Sequence, residues 1–185
     1  MALETTQAIV LSSIKYGDSS LIVRCFTESS GLKTYMIRGV LKAKKGKIKT
    51  AYFQPITQLL ITGKHNNKGN LNSIKEVHVV NPYKTIYTSI VKQTIVLFLS
   101  EVLSGIIKEE EENLQLYNYL ETAFIWLDTH TDISNFHLLF LLNLSKYLGF
   151  YPDTSEQDKL GFNLLEGNFT NSIHEKLIIS GEELM

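Results

Sequence analysis

The residues most clearly able to bind a ligand form a basic segment in the N-terminal half of the chain. It carries six cations and no acid in twelve positions: Arg38, Lys42, Lys44, Lys45, Lys47 and Lys49. Two glycines and the mutual repulsion of the lysines predict a loop here. Lysine and arginine bind phosphate by releasing counterions and need no single geometry, so the segment predicts a nucleic-acid partner. The alternative is an ordinary solvated loop, because basic runs are common on protein surfaces.

The charge distribution favours the nucleic-acid interpretation. The net charge of −1 is a cancellation, because residues 1–80 contain 12 Lys and Arg against 4 Asp and Glu, whereas residues 81–185 contain 6 against 15. A basic half joined to an acidic half predicts phosphate contact by the first half. The same asymmetry predicts a domain boundary near residue 80, with domains at 1–80 and 81–185.

Residues that could perform catalysis are not arranged for it. Cys25 is the single cysteine, and the five histidines show no metal-ligand spacing. The sequence has no Gly-rich phosphate loop, no nucleophile elbow and no HExxH pattern. We predict a protein that is not an enzyme and binds no metal or cofactor. Its apolar runs are too short to span a bilayer and it begins without a cationic leader, which predicts a cytoplasmic protein.

The elements that must position the basic segment read as short strands. Runs rich in Val, Ile, Thr, Tyr and Phe alternate with turns and predict five strands, at about 7–14, 20–27, 32–38, 52–62 and 71–80. Five strands in some 75 residues predict a five-stranded OB-fold β-barrel. On the third strand Tyr35 lies between Lys33 and Arg38, and both Tyr35 and Tyr52 could stack on a base. The alternative is an ordinary half-buried tyrosine of a strand.

The pattern changes from a period of 2 to about 3.6 after Pro82, which predicts an α-helical domain and an α+β fold class overall. Three helices are predicted, over about 86–107, 114–127 and 136–148. A small hairpin is predicted at about 160–170, turning at Glu166-Gly167. The last run, residues 172–185, reads as weakly helical.

Two stretches resemble a known family. The first includes Tyr16-Gly17-Asp18 and runs through the basic segment to Phe53-Gln-Pro55. The second is an apolar helix that ends in Leu148-Gly149-Phe150-Tyr-Pro152-Asp153. In order and spacing the two stretches resemble RecO, the bacterial family of recombination mediators in DNA repair.

The resemblance implies a function and a set of partners. It implies a non-enzymatic protein that binds single- and double-stranded DNA, anneals strands and assists RecA loading on single-stranded DNA in DNA repair and recombination. The implied partners are RecR, the C-terminal tail of single-strand binding protein and, indirectly, RecA, and the implied location is the nucleoid. The family's basic surface falls on the six cations of the basic segment, with Lys33 and Arg24 as additional DNA-binding candidates.

The chain departs from the family pattern in two places. Many relatives carry a four-cysteine zinc site around the hairpin at 160–170, and those cysteines are absent here. We therefore predict a hairpin without zinc. Relatives also continue beyond the position of Met185, so we expect a chain that is incomplete at its C-terminus. A different class of function remains open: a protein-interaction adaptor that binds RNA or an acidic protein at the basic segment.

Overall fold

The computed structural model describes residues 3–42, 48–65, 71–172 and 177–180. Contacts group the chain into two compact units, Met1–His137 and Leu138–Met185. The domain boundary predicted near residue 80 stays a prediction. The elements of the first unit are β1 (Leu3–Tyr16), β2 (Ser20–Thr27), β3 (Gly31–Ile37), a 3-10 turn (Thr50–Phe53), β4 (Gln58–Lys64), β5 (Ser73–Val79), α1 (Ile90–Ile106) and α2 (Leu114–Thr129). They are followed by α3 (Phe136–Tyr147), β6 (Gly161–Asn163), β7 (Asn168–Thr170) and β8 (Ile178–Ser180).

The five N-terminal strands form one antiparallel sheet in the order β3-β2-β1-β4-β5. The long β1 lies in the centre, pairing with β4 along its first half and with β2 along its second half. Its register with β2 shifts between Val10 and Ser12, which bends the strand. An antiparallel five-stranded sheet followed by helices confirms the predicted α+β class.

The closed barrel that the sequence predicts is present only in part. In the described part of the chain, one isolated bridge joins Tyr35 of β3 to Asn72, the residue before β5. There Asn72 N donates to Thr34 O at 2.8 Å and Met36 N donates to Asn72 O at 2.9 Å. Because this contact falls just before β5 begins, it does not extend into a ladder, and the sheet stays open along the seam between its edge strands.

One buried cluster of the first unit lies on the inner face of this sheet. Alternate residues of β2 and β3 point inward, and Val23, Cys25 and Tyr35 have no exposed surface. Phe53 of the 3-10 turn fills the same cluster. Burial of a side chain such as Val23 or Phe53 contributes about 1.5–3 kcal/mol.

The fourth strand begins later than predicted. Residues 50–53 form the 3-10 turn, and β4 starts only at Gln58. Pro55 has no N–H to give to a ladder, and Ile56 has a positive φ of 60°, which turns the chain before it can enter the sheet. The segment before β4 is therefore a turn that inserts Phe53 and Ile56 into the interior.

The first helix also begins later than predicted, at Ile90 rather than near Ile86. The reason is a carboxylate at the far end of α2. Asp128 accepts hydrogen bonds from the backbone N–H groups of Lys84, Thr85 and Ile86 at 2.8–3.0 Å. These three amides are held in a non-helical turn, and α1 starts after Ser89, whose hydroxyl accepts from Lys92 N.

The second unit contains most of α3 and a three-stranded sheet in the order β7-β6-β8. β6 and β7 form a hairpin whose turn ends at Gly167, with a φ of 67°. The Asn163 side chain accepts from the backbone N–H groups of Leu165 and Glu166 within this turn. The helical prediction for the last run is wrong at Ile178–Ser180, which pair with β6 as a strand.

The described residues contain neither a membrane-spanning helix nor a cluster of metal ligands. No helix in the described ranges is long and apolar enough to cross a membrane. Nor do the described residues include a cluster of three or more His, Cys, Asp or Glu side chains that could hold a metal ion.

Candidate nucleic-acid interface

The basic segment leaves the sheet at the end of β3. Arg38, Lys42 and Lys49 are all exposed, and Lys44, Lys45 and Lys47 lie outside the described residues. The first part of the segment is anchored, because Leu41 N donates to Ser19 O at 3.0 Å and Val40 is buried. The described cations therefore project from an ordered base into solvent.

Beside this segment, the outer side of β1, β2 and β3 carries apolar and aromatic side chains. Ile14, Ile22 and Met36 are directly opposite one another across the three strands, and Tyr16 opposes Ser20 one step further. Ile14 is 60% exposed and Tyr16 is 55% exposed. We call this surface, with Arg38, the open face.

Arg38 joins the open face to the basic segment. Its Nε lies 3.5 Å from Sδ of Met36, which places the guanidinium stem on the outer side of the sheet. An aromatic ring and a cation next to an apolar surface are the elements with which proteins hold single-stranded nucleic acid. Tyr16 was missed as a stacking candidate, although its place beside Gly17-Asp18, at a strand end, was a signal for exposure.

Of the two predicted stacking residues, Tyr52 is partly buried against the core, and Tyr35 has no exposed surface. Its hydroxyl lies 2.7 Å from Nε2 of His65, and Nδ1 of that ring lies 2.9 Å from Oε2 of Glu4. Burial raises the pKa of the Tyr35 hydroxyl, so it stays protonated. In this structure the ring packs in the core and offers no face to a base.

Arg24 lies on the outer side of β2, but helix α1 covers it. Its Nη1 donates to the carbonyl oxygen of Ser104 at 3.0 Å. Ser104 lies in the last turn of α1, where unpaired carbonyls and the helix dipole favour a cation. In this structure the guanidinium therefore serves as a cap for a helix.

Lys33 is also held within the protein, at 6% exposure. Its Nζ donates to Glu110 O at 3.4 Å and lies 3.7 Å from the Glu110 carboxylate. The neighbouring strand start is joined to the same acidic connector, because Leu32 N donates to Glu109 O at 2.9 Å. We call Arg24, Gly31, Lys33 and the segments that they contact, Ser104 and residues 109–111, the latched end.

The structure thus separates the six predicted site residues that it describes. Arg38, Lys42 and Lys49 are exposed, Arg24 and Lys33 are engaged with the helical segments, and Tyr35 is internal. Their contact with DNA stays a prediction. What the exposed surface can do chemically is attract phosphate, because Arg38, Lys42 and Lys49 carry positive charge. Burial raises the pKa of the Cys25 thiol, which keeps it in the unreactive protonated form.

Comparison with known proteins also indicates a protein that acts on DNA. The family model described as recombination protein O N terminal matches residues 1–83, and that described as recombination protein O C terminal matches residues 87–181. The chain is 54% identical over 165 residues to the DNA repair protein RecO of Flavobacterium johnsoniae, covering 89% of this chain and 70% of that protein.

Two further relatives bear the same name. The RecO of Flavobacterium psychrophilum is 50% identical over 89% of this chain and 69% of its own length. That of Christiangramia forsetii is 45% identical over 97% of this chain and 75% of its own length. Together with the two family models, which cover nearly every residue, these matches show that the chain belongs to the RecO family of DNA repair proteins.

Proposed function

We propose that this protein is a non-enzymatic mediator of recombination that binds DNA, anneals complementary strands and assists RecA loading on single-stranded DNA. RecR and the C-terminal tail of single-strand binding protein are its proposed partners, and the cytoplasmic nucleoid is its proposed location. Membership of the RecO family supports the process, and the exposed surface supports the binding step. The proposed fold of residues 1–80 is an OB-type barrel with an open seam.

The observation that carries the proposal is the position of Arg38. It lies between the open face and the exposed Lys42, so cations for phosphate and the Tyr16 ring for bases occur on adjoining surfaces. Cations that are already bonded within the protein, such as the buried Lys33, would lose those contacts on turning to DNA. Arg38, Lys42 and Lys49 are exposed, and their cationic groups have no such hydrogen bond to an oxygen of a described residue.

Replacing Lys42, Lys44, Lys45 and Lys47 with Ala tests the phosphate contacts. We expect weaker binding to every DNA sequence alike, with the slope of log K against log salt reduced by up to about 2.8 for single strands. A fluorescence anisotropy titration at several salt concentrations measures both quantities. The matched control replaces Lys84, Lys108, Lys146 and Lys159 with Ala, which changes the net charge equally. Equal slopes for the two variants would contradict a role of the basic segment.

The Tyr16 ring tests the preference for single strands. Tyr16→Ala is expected to weaken single-stranded DNA binding by about 1–3 kcal/mol, or roughly 5- to 150-fold, through the loss of one base stack. Duplex binding should change little, because paired bases are not available to the ring. Tyr16→Phe retains the stacking surface and is the control. An equal loss for single strands and duplex would show that Tyr16 has another role.

A mobility-shift titration with single-stranded DNA, duplex DNA and RNA separates this function from the adaptor alternative. The proposed function predicts affinity for both DNA forms at low salt. Absence of DNA binding, with RNA or an acidic protein bound instead, would favour the adaptor.

A further inference from the structure

A groove runs from the seam between β3 and the start of β5 to the end of β4, beside Leu3 of β1. It consists of two adjoining cavities of about 500 and 480 Å³ that share Ser73 and Ile74 at the start of β5. The first cavity reaches Arg38 and Leu71, and the second reaches Lys64 and Lys75. We call the pair of cavities the seam groove.

The lining of the seam groove combines cations with an aliphatic floor. Arg38, Lys64 and Lys75 are exposed along it, and no carboxylate occurs among the described residues that line either cavity. The floor includes Leu71, 45% exposed, and the half-buried Ile74. A groove of this charge is complementary to an extended anionic chain.

Two features favour nucleic acid over an acidic peptide as that chain. The groove begins at Arg38, which also belongs to the open face, so the two cationic surfaces are continuous. A positively charged groove that follows the backbone is the common device for single-stranded nucleic acid. The described lining residues include no aromatic ring, so contact here is expected with sugar and phosphate rather than with stacked bases.

We infer that the seam groove is a second track for single-stranded nucleic acid, in which Arg38, Lys64 and Lys75 hold the sugar–phosphate backbone of a strand that also crosses the open face. The inference rests on the proposed DNA-binding function and extends it to the opposite edge of the sheet. A longer strand would gain contacts at Lys64 and Lys75 without any change in base preference.

A thiol footprint tests where the strand lies. Ser73→Cys places one reactive group between the two cavities, and the native Cys25 is fully buried, so maleimide reports position 73. A saturating 30-nucleotide oligothymidylate is expected to slow labelling at position 73 at least about tenfold. Ser134→Cys, at an exposed site between α2 and α3, is the control and should label at an unchanged rate. Equal labelling with and without DNA at position 73 would overturn the inference.

A charge variant tests the energetics. Lys64→Gln with Lys75→Gln removes two cations from the groove while keeping polar side chains only one atom shorter, and Lys84→Gln with Lys108→Gln is the control of equal net charge. The groove variant should reduce the salt slope for the same oligonucleotide by about 1.4, or 0.7 for each lost phosphate contact, and the control should not. Equal slopes for the groove variant and the control would overturn the inference.

The outcomes separate the inference from the proposed function. If the unaltered protein binds no oligothymidylate, the proposed function itself fails. If it binds but the groove variant matches its control, only the seam groove is excluded. If a polyglutamate peptide protects position 73 and oligothymidylate does not, the groove is a site for an acidic protein and the inference is wrong.

Discussion

The latched end and the open face use the same kinds of residue for different purposes. Arg24 and Arg38 both lie on the outer side of the sheet, yet Arg24 donates to a helix carbonyl, whereas Arg38 is exposed and contacts the sulfur of Met36. Lys33 is 6% exposed against the acidic connector, while Lys42 is in solvent. Charge alone therefore does not mark a binding residue. The segments packed against each cation decide whether it is available to DNA.

The largest expected effect is at Gly31, in the latched end. It has a φ of +61°, and a Cβ there would collide with backbone oxygens of Glu109, at 2.7 Å, and Glu111. Neither oxygen belongs to a flexible side-chain tip, so the connector would have to move. We expect Gly31→Ala to destabilise the protein by more than about 3 kcal/mol in urea unfolding.

Gly39 beside the open face is the matched control for Gly31. It has a similar φ of +72°, and apart from its chain neighbours no described residue has an atom within 4 Å of the position of a Cβ. Gly39→Ala should therefore cost only the backbone strain, about 1–2 kcal/mol. If the two variants were equally unstable, the connector would not be packed against Gly31 and the comparison would fail.

Asp128 of α2 forms hydrogen bonds that join this helix to the loop before α1. Its replacement tests how much these hydrogen bonds stabilise the protein. Burial acts to raise the pKa of Asp128, but the backbone N–H groups of Lys84, Thr85 and Ile86 outweigh it and hold the pKa below its ordinary value of 3.8. Asp128→Ala leaves three donors without their acceptor, so we expect a loss of about 3 kcal/mol in the free energy of unfolding.

The pH dependence of unfolding gives a second measurement on Asp128. Because the folded pKa is lowered, its contribution is complete above pH 3.8 and disappears as the pH falls through the folded value. Between pH 7 and pH 3, Asp128→Asn should therefore lose less stability than the unaltered protein. An equal loss in both would show that the carboxylate is not held by these amides.

Replacement of Arg24 and of Arg38 is expected to have opposite effects on stability and on DNA binding. Arg24→Ala removes the donor to Ser104 and should cost about 1–2 kcal/mol of stability while leaving DNA affinity unchanged. Arg38→Ala should do the reverse, with stability within about 0.5 kcal/mol and a reduced salt slope for DNA. Urea unfolding of both variants measures the stability, and anisotropy titration measures the DNA affinity and its salt slope. Loss of DNA affinity in Arg24→Ala would break the division between the two surfaces.

The smallest effect is expected at Glu110. Its carboxylate is 61% exposed and lies 3.7 Å from Lys33, so water and salt weaken the attraction. Glu110→Gln should change the free energy of unfolding by less than about 0.5 kcal/mol, since the backbone carbonyl that Lys33 contacts remains. A loss of several kcal/mol would mean that the ion pair, rather than the backbone contacts, holds the connector.

Local patterns in the sequence predict most of the sheet. The second strand was predicted at Ser20–Thr27 and is observed there, because alternating apolar residues between two turns specify both ends. The start of α1 could not be predicted in this way. Ile86 fits the helical period, but its N–H is bound by Asp128, 42 residues along the chain.

At the candidate site, too, the local sequence predicts the exposed cations but not the contacts between distant residues. The density of cations in residues 38–49 predicts an exposed loop, and Arg38, Lys42 and Lys49 are exposed. Nothing near Lys33 in the sequence indicates that Glu110 would cover it, since the contact joins residues 77 positions apart. Which cations are engaged internally is a tertiary property, and a pattern of residue types does not contain it.

The central position of β1 has a consequence for the order of folding. β1 pairs with β2 across one tight turn. Its pairing with β4 joins residues far apart in the sequence, Leu3 with Lys64 and Ile9 with Gln58. Loop closure makes distant pairings slower than hairpins, so the β1-β2-β3 meander is expected to form first and the β1-β4 ladder later. During synthesis, the basic segment therefore emerges attached to a half-built sheet, whose unpaired β1 edge is open until β4 leaves the ribosome.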